Sequence, residues 1–294
     1  MERLRVGVSG WSYDDWRGIV YPRGCRDTLR AVARCVDFLE INTTFYRTPR
    51  REVVAAWVER TADLGTRFTA KLPQELTHGA AAAPECAAAF AKAMEPLLES
   101  GRLDALLAQF SFRLEAEPGA FERLADIARA FGPLGPPRLV EVRHRSWRST
   151  DAQARLVELG LTPIHLDYAD MAQGFAGPQL DQPGVPGAPV YLRCHGRNAA
   201  AWFDAEAGRD ATYDWLYSAG EVDGMTRRLR ALAEASAGRT QMAAANNHFQ
   251  GQAMVLALTL RARSLGRRVD VPDGLLARYP ALQEIARHAQ GGLF

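Results

Sequence analysis

Residues 38–42 read Phe38-Leu39-Glu40-Ile41-Asn42, and this stretch carries the pattern that decides the fold class. Apolar and polar side chains alternate in it, so that Glu40 and Asn42 project from one face of a β-strand and Leu39 and Ile41 from the other. The segment that follows has its apolar residues at helical spacing. A strand followed by a helix is the repeating βα unit of α/β proteins.

The same unit recurs along most of the chain. Pro49, Pro84 and Pro118 each mark a helix start, and Asp151 is the expected N-cap of a helix that ends near Gly160. Eight repeats without a change of composition midway favour a closed (β/α)8 TIM-type barrel over an open doubly wound sheet. We therefore predict a single α/β domain spanning residues 1–294. The predicted strands are Arg5–Ser9, Phe38–Asn42, Phe68–Leu72, Leu106–Phe110, Leu139–Arg143, Pro163–Asp167, Val190–His195 and Gln241–Asn246.

Two stretches interrupt this rhythm. Tyr168–Pro189 is rich in Gly and Pro and has no clear helical pattern, and Gly196–Gly220 is long and aromatic. They predict long loops after the sixth and seventh strands. Long loops at the mouth of a barrel often carry function.

The composition limits the class of protein. With 47% hydrophobic and 24% charged residues the chain can bury a sizeable core, and a net charge of +2 gives no nucleic-acid signal of its own. No apolar run approaches the ~20 residues of a membrane span, and the first residues lack the apolar stretch of a signal peptide. We expect a cytoplasmic protein without a membrane partner. The cysteines show no paired spacing and are expected to be reduced; they are Cys25, Cys35, Cys86 and Cys194.

Polar residues occupy alternate positions near the end of nearly every predicted strand. A barrel strand covered by helices should be almost wholly apolar, so the polar parity is expected to point inward at the mouth, where the active sites of this fold lie. Burying so many charges without a site would be costly. A satisfied ion-pair network that only plugs the barrel remains the structural alternative. The residues concerned are Glu40, Asn42, Thr69, Lys71, Gln109, Glu141, Arg143, His165, Asp167, Arg193, His195 and Asn246.

Motifs spread along the chain form a joint set: Gly7–Tyr13, Glu40–Tyr46, Phe68–Lys71 with Thr77-His78, Gln109-Phe110, Glu141–Arg143 with Trp147, Asp167, Tyr191–Gly196, Asn246–His248 and Gly251–Ala253. This set resembles the YecE-like family, domain of unknown function 72. The resemblance covers nearly the whole chain and implies a TIM-type barrel, but it supplies no reaction. Ser111-Phe112 departs from it, since many relatives have Pro soon after the Gln of the fourth strand.

The expected pocket mixes cations, carboxylates and imidazoles, which suits a small anionic ligand. Lys71, Arg143 and Arg193 are expected to hold a phosphate group, because guanidinium and ammonium groups match phosphate oxygens. The favoured hypothesis is a hydrolase acting on a phosphodiester, with catalytic candidates Glu40, Lys71, Glu141, Asp167 and His195. The binding candidates are Ser12, Asn42, Tyr46, His78, Gln109, Arg143, Trp147, Arg193, Asn246 and Asn247.

The residues also allow a metal-assisted mechanism and two other functions. No cofactor is identified, but a divalent metal on Glu141, Asp167 and His195 would assist hydrolysis, although Arg143 and Arg193 would repel it. A second hypothesis makes Lys71 a Schiff-base nucleophile in a lyase or isomerase, with Glu40 or Glu141 moving protons. A third is a non-catalytic module that binds a nucleotide, a nucleic acid or a sugar phosphate on aromatic side chains.

Overall fold

The computed structural model describes residues 4–79, 83–169 and 184–287, apart from positions 203, 205 and 237. Nine strands form one sheet in the order β6-β5-β4-β3-β2-β1-β9-β8-β7. Every pair of neighbours in it is parallel, as βα repetition requires. The strands are β1 (Arg5–Ser9), β2 (Phe38–Ile41), β3 (Arg67–Lys71), β4 (Leu103–Gln109), β5 (Arg138–Glu141), β6 (Leu161–Pro163), β7 (His165–Tyr168), β8 (Val190–Gly196) and β9 (Gln241–Ala245).

The two ends of this sheet are halves of one run of chain. β6 pairs with β5 and β7 pairs with β8, and only Ile164 separates β6 from β7. The Ile164 N–H donates to the Val140 carbonyl at 3.0 Å, which continues the β5 ladder through the break. Pro163, which has no N–H to donate, lies beside the interruption. The sheet therefore closes almost completely, and the predicted TIM-type barrel is confirmed.

Helices follow most strands and cover the outside of the barrel. Pro84 and Pro118 occupy the first helical turn as predicted. The expected N-cap at Asp151 is wrong, because the Ser149 side chain accepts the Ala152 N–H and Asp151 lies inside the first turn. The helices are α1 (Thr28–Ala33), α2 (Arg51–Arg60), α3 (Gln74–Thr77), α4 (Pro84–Glu99), α5 (Pro118–Phe131), α6 (Thr150–Glu158), α7 (Ala199–Trp202), α8 (Gly208–Thr212), α9 (Ala219–Ala235), α10 (Gln252–Leu265) and α11 (Asp273–Arg278).

The two predicted long loops differ in what can be described. Residues 170–183, most of the loop after the sixth strand, lie outside the described residues. The loop after β8 carries the short helices α7 and α8. Among the described residues, no helix is long and apolar enough to cross a membrane.

Two apolar clusters show which parity of each strand faces inward. The larger cluster joins outward strand residues such as Leu39 and Ile41 to the helices. The smaller one fills the barrel interior and includes Phe38, Leu139 and Tyr191. On β2, β5 and β8 the face that points into the barrel therefore also carries the polar residues nearer the mouth, as the alternation predicted.

The sixth strand reverses the expected parity. Ile164, Leu166 and Tyr168 belong to the interior cluster, so His165 and Asp167 project outward toward the helices. The prediction that these two polar residues join the inward set is wrong. Alternation distinguishes two faces of a strand but does not state which of them faces the barrel axis, and at this strand apolar side chains fill the interior.

Candidate active site

Arg193 is the centre of a buried polar cluster inside the mouth of the barrel. It projects from β8 with its side chain fully buried, and it pairs with Glu40 of β2 across the barrel. Its Nε and Nη2 donate to the two Glu40 carboxylate oxygens at 3.0 and 2.6 Å. Ser9 Oγ and Tyr191 OH also donate to this carboxylate, at 2.5 and 2.8 Å. Burial alone would raise the pKa of Glu40, but Arg193 and these donors hold it below its usual value.

The opposite side of Arg193 contacts Glu141. Arg193 Nη1 donates to Glu141 Oε2 and, at 2.8 Å, to Gln109 Oε1. Arg143 donates to the other Glu141 oxygen through Nε at 2.8 Å and also through Nη2. Burial opposes ionisation of Glu141, yet the two arginines hold its pKa well below the usual range. Two carboxylates and two guanidinium groups thus balance each other in the cluster.

His195 and Asn246 extend the cluster toward the end of β9. Burial lowers the pKa of His195 to about 4, although Glu141 opposes the shift, so the imidazole is neutral at pH 7. Asn246 Nδ2 lies 2.9 Å from His195 Nδ1, and His195 Nε2 lies 3.3 Å from Glu141 Oε1. An amide NH2 only donates, so Nδ1 accepts from Asn246 in this arrangement, and Nε2 is buried without a hydrogen-bond partner among the described residues.

Lys71 reaches the same hollow from the end of β3. Its Nζ lies 3.7 Å from the centroid of the Phe45 ring. The pKa of the amine falls to about 7, chiefly because burial disfavours its charged form, with Arg193 adding to the shift and Glu141 opposing it. Within the described part of the chain Lys71 forms no ion pair. Lys71 and the exposed Lys92 are the only lysines in the sequence.

A cavity of about 760 Å³ opens above this cluster at the carboxyl ends of the strands. Its volume lies in the range of small-molecule sites. Of the residues predicted to bind a ligand, Ser12, Asn42, Tyr46, Gln109, Arg193 and Asn246 line it, as does the catalytic candidate Lys71. The remaining lining residues are Gly10, Trp11, Tyr13, Asp14, Asp15, Thr43, Trp57, Asp210, Tyr213 and His248.

Asp167 is not part of the cluster around Arg193. Its carboxylate accepts from Arg197 Nε and Nη2 at 2.8 and 2.6 Å and from Tyr217 OH at 2.9 Å. These partners belong to the loop after β8. The expectation that Asp167 meets Glu141 and His195 in one hollow is therefore wrong, because its strand presents the opposite parity.

Besides Arg143, three predicted binding residues lie outside the cavity lining. Trp147 is buried against Phe121, and its Nε1 donates to the Leu114 carbonyl at 2.8 Å. Asn247 is buried and donates to the Trp215 carbonyl at 2.9 Å. The His78 side chain is largely exposed, but its ring meets the Phe45 ring edge-on, and the loss of water on that side together with the Lys71 charge lowers its pKa. Their positions indicate packing and loop anchoring.

Sequence reasoning missed the groups that complete the cluster. Ser9 and Tyr191 both bond Glu40, and Phe45 covers the Lys71 amine. Tyr213, from the loop after β8, lines the cavity, and burial raises the pKa of its hydroxyl. Ser9 and Tyr191 were identifiable, since each stands at an inward position of a predicted strand. Phe45 and Tyr213 belong to loops, whose placement does not follow from alternation.

The residues proposed for a metal are not assembled. Within the described ranges no group of three or more His, Cys, Asp or Glu side chains is arranged to hold a metal ion. Glu141 and His195 are close, but the Asp167 oxygens bond Arg197 and Tyr217. The Glu141 oxygens in turn accept from Arg143 and Arg193, and these cations would repel a metal.

Comparison with known proteins agrees with the fold. A family model described as "Protein of unknown function DUF72" matches residues 5–279. The UPF0759 protein YecE of Escherichia coli K12 is 36% identical over 80 residues, a segment that covers only 26% of either protein.

Two solved structures are similar over most of their length. A DUF72 family protein from Thermotoga maritima has a TM-score of 0.77 at 27% identity and covers 90% of this chain and 100% of its own. A second, from Enterococcus faecalis, has a TM-score of 0.77 at 24% identity, with 91% and 97% covered. The family model spans nearly the whole barrel, and the chain therefore belongs to the DUF72 family.

Proposed function

We propose that this protein is an enzyme in which Lys71 forms a Schiff base with a carbonyl substrate, as a lyase or an isomerase. The observation that carries the proposal is the Lys71 amine itself: it is buried, unpaired within the described residues, has a pKa of about 7 and faces a cavity of ligand size. Lysines held in this way are the ones used as amine nucleophiles.

The lowered pKa makes the attack feasible at neutral pH. An ordinary lysine is neutral in fewer than about one molecule in a thousand at pH 7, whereas Lys71, with a pKa of about 7, is neutral in a substantial fraction of molecules. The Nζ lone pair attacks the carbonyl carbon and the C–O π electrons move to oxygen. The two amine protons leave with that oxygen as water, and a C=N bond remains.

Glu40 and Glu141 act in this scheme as fixed charges. Both have lowered pKa values and stay ionised, so they are poor proton carriers. Their negative charge offsets part of the burial and of the Arg193 charge that disfavour a cation on this nitrogen, in the protonated amine and in a protonated imine alike. A protonated imine withdraws electrons from the adjacent carbon, which is what carbon–carbon cleavage or isomerisation needs.

The phosphodiester hydrolase gains no support from the site. Arg143 and Arg193 were expected to clamp a phosphate, but both donate to Glu141, and Arg193 also donates to Glu40. The described residues provide no three-ligand metal site either. A non-catalytic binding module would bind a ligand in the same cavity without covalent chemistry, and the experiment below distinguishes it.

Reductive trapping tests the proposal. The protein is incubated at pH 7 with dihydroxyacetone or glycolaldehyde and sodium cyanoborohydride, and the reduced adduct is located by peptide mass spectrometry. We expect Lys71 to be labelled at least tenfold faster than Lys92. The fast phase of labelling of the whole protein should be absent from Lys71→Met and retained in Lys92→Met. Equal labelling of the two lysines, or none at Lys71, would leave a binding module as the better hypothesis.

A further inference from the structure

We infer that the substrate is an uncharged polyhydroxy carbonyl compound, a free sugar rather than a sugar phosphate. The inference rests on the proposed function for the carbonyl group alone. The preference for hydroxyl over phosphate comes from separate observations on the cavity wall, and it can be measured without any covalent step.

The charges on the cavity wall disfavour an anion. Arg193 lines the cavity but already makes four hydrogen bonds, to Glu40, Glu141 and Gln109. Its charge is matched by the two carboxylates. Lys71 is the other lining cation, and its charge is half lost at pH 7.

Carboxylates are more numerous on the same wall. Asp14, Asp15 and Asp210 line the cavity near its opening. Arg17 lies 3.8 Å from Asp14 and offsets part of this charge. A phosphate dianion would still meet a wall on which acidic side chains outnumber the partly protonated amine that attracts it. A neutral ligand meets no such barrier, and its hydroxyls can donate to carboxylate oxygens.

Two amide oxygens of lining residues lack a hydrogen-bond donor among the described residues. Asn42 Oδ1 and Asn246 Oδ1 are both buried and have no partner among the described residues, and both side chains line the cavity. The Asn246 side chain is held in place through Nδ2 by His195. An unsatisfied buried acceptor costs about 1–3 kcal/mol, so a ligand hydroxyl that donates to it gains affinity. The ionised phosphate group of an ester has only acceptors, so these oxygens recognise hydroxyl groups, and it is the charge on the wall that disfavours the ester.

Aromatic rings supply the apolar part of the wall. Trp11 and Trp57 meet edge to face with centroids 5.3 Å apart, and Tyr13, Tyr46 and Tyr213 complete the ring-rich lining. The C–H faces of a sugar pack against such rings while its hydroxyls turn to the amides and carboxylates. Rings alone would equally fit a nucleobase. The two buried acceptors and the reactive amine favour a polyhydroxy carbonyl compound.

Matched polyols test the inference on the wild-type protein. Ribitol and glucitol have no carbonyl group, so their binding is independent of Schiff-base formation, and each is compared by calorimetry with its terminal phosphate ester. We expect the Kd of each free polyol to be at least tenfold lower than that of its ester at fixed ionic strength. An ester that binds as tightly, or a failure of both polyols to bind, overturns the inference whatever the trapping experiment gives.

Truncation of the two amides identifies the acceptors. Asn42→Ala and Asn246→Ala are each expected to raise the Kd of the bound polyol about tenfold, while Gln74→Ala, an exposed amide outside the lining, leaves it unchanged. Asn42 is only partly buried, so its variant keeps the test valid if Asn246→Ala folds poorly. An unchanged Kd in the folded variants would remove these oxygens from the site.

Discussion

Replacing Lys71 by Met removes the titrating amine, and the pH dependence of the resulting stability change measures how strongly the fold opposes its charge. The pKa falls from the ordinary 10.5 to about 7 in the folded protein. Each tenfold change in proton affinity is worth about 1.36 kcal/mol, so the protonated amine destabilises the fold by about 5 kcal/mol. Below pH 7 the amine is protonated in both states and this cost is felt in full.

Between pH 7 and 10.5 the unfolded chain holds one more proton at Lys71 than the folded protein does. The free energy of unfolding of the wild type therefore rises with pH, relative to the variant, by about 1.4 kcal/mol per pH unit. Above pH 10.5 the amine is neutral in both states and the difference is constant.

Urea unfolding of wild type, Lys71→Met and Lys92→Met at intervals from pH 6.5 to 9.5 measures this slope. Over that range the free energy of unfolding of the wild type should rise by about 3 kcal/mol relative to that of Lys71→Met. The free energy of unfolding of Lys92→Met should change with pH as that of the wild type does. A difference between wild type and Lys71→Met that stays flat with pH would mean that Lys71 keeps an ordinary pKa, and the proposed nucleophile would lose its basis.

Four other substitutions test the placement of single residues. Arg193→Met should lower the free energy of unfolding in urea by about 3–5 kcal/mol, and more at pH 8 than at pH 5, because it leaves two buried carboxylates without their shared cation; a loss under 1 kcal/mol would contradict the buried cluster. Asp167→Asn should cost about 1.5–3 kcal/mol in the same assay without slowing reductive labelling of Lys71, and slowed labelling would return Asp167 to the site. Ser149→Ala should cost about 0.5–2 kcal/mol as the loss of a helix cap and Asp151→Ala only about 0.3 kcal/mol, and the reverse order in thermal melts would restore Asp151 as the cap.

The barrel was predictable from the sequence because its evidence is repeated. Each βα unit has its own alternation of apolar and polar residues and its own helix start. An error at one strand therefore does not change the predicted fold. The break at Ile164 was not predictable, since β6 and β7 are joined by one residue and the alternation of the predicted strand Pro163–Asp167 runs through it. The cap at Ser149 was missed because Ser and Asp both favour that position, and only backbone geometry separates them.

The site was predictable on those strands whose alternate polar residues are also the ones that face the barrel interior. Glu40, Glu141, Arg193 and His195 meet as alternation requires. The prediction that Asp167 points inward was wrong because alternation separates the two faces of a strand without showing which one is inside. A barrel interior accepts apolar side chains as readily as polar ones. The pairing state of the arginines was also beyond sequence reasoning, because their partners lie on distant strands.

That pairing has a mechanical consequence for the mouth of the barrel. One guanidinium group on β8 is hydrogen-bonded to side chains of β2, β4 and β5 at once, and β8 shares no backbone ladder with any of these three strands. A braced opening keeps its width whether or not it is filled. The shape that an incoming molecule meets is therefore set when the chain folds, and little of its binding free energy is spent on rearranging the strands.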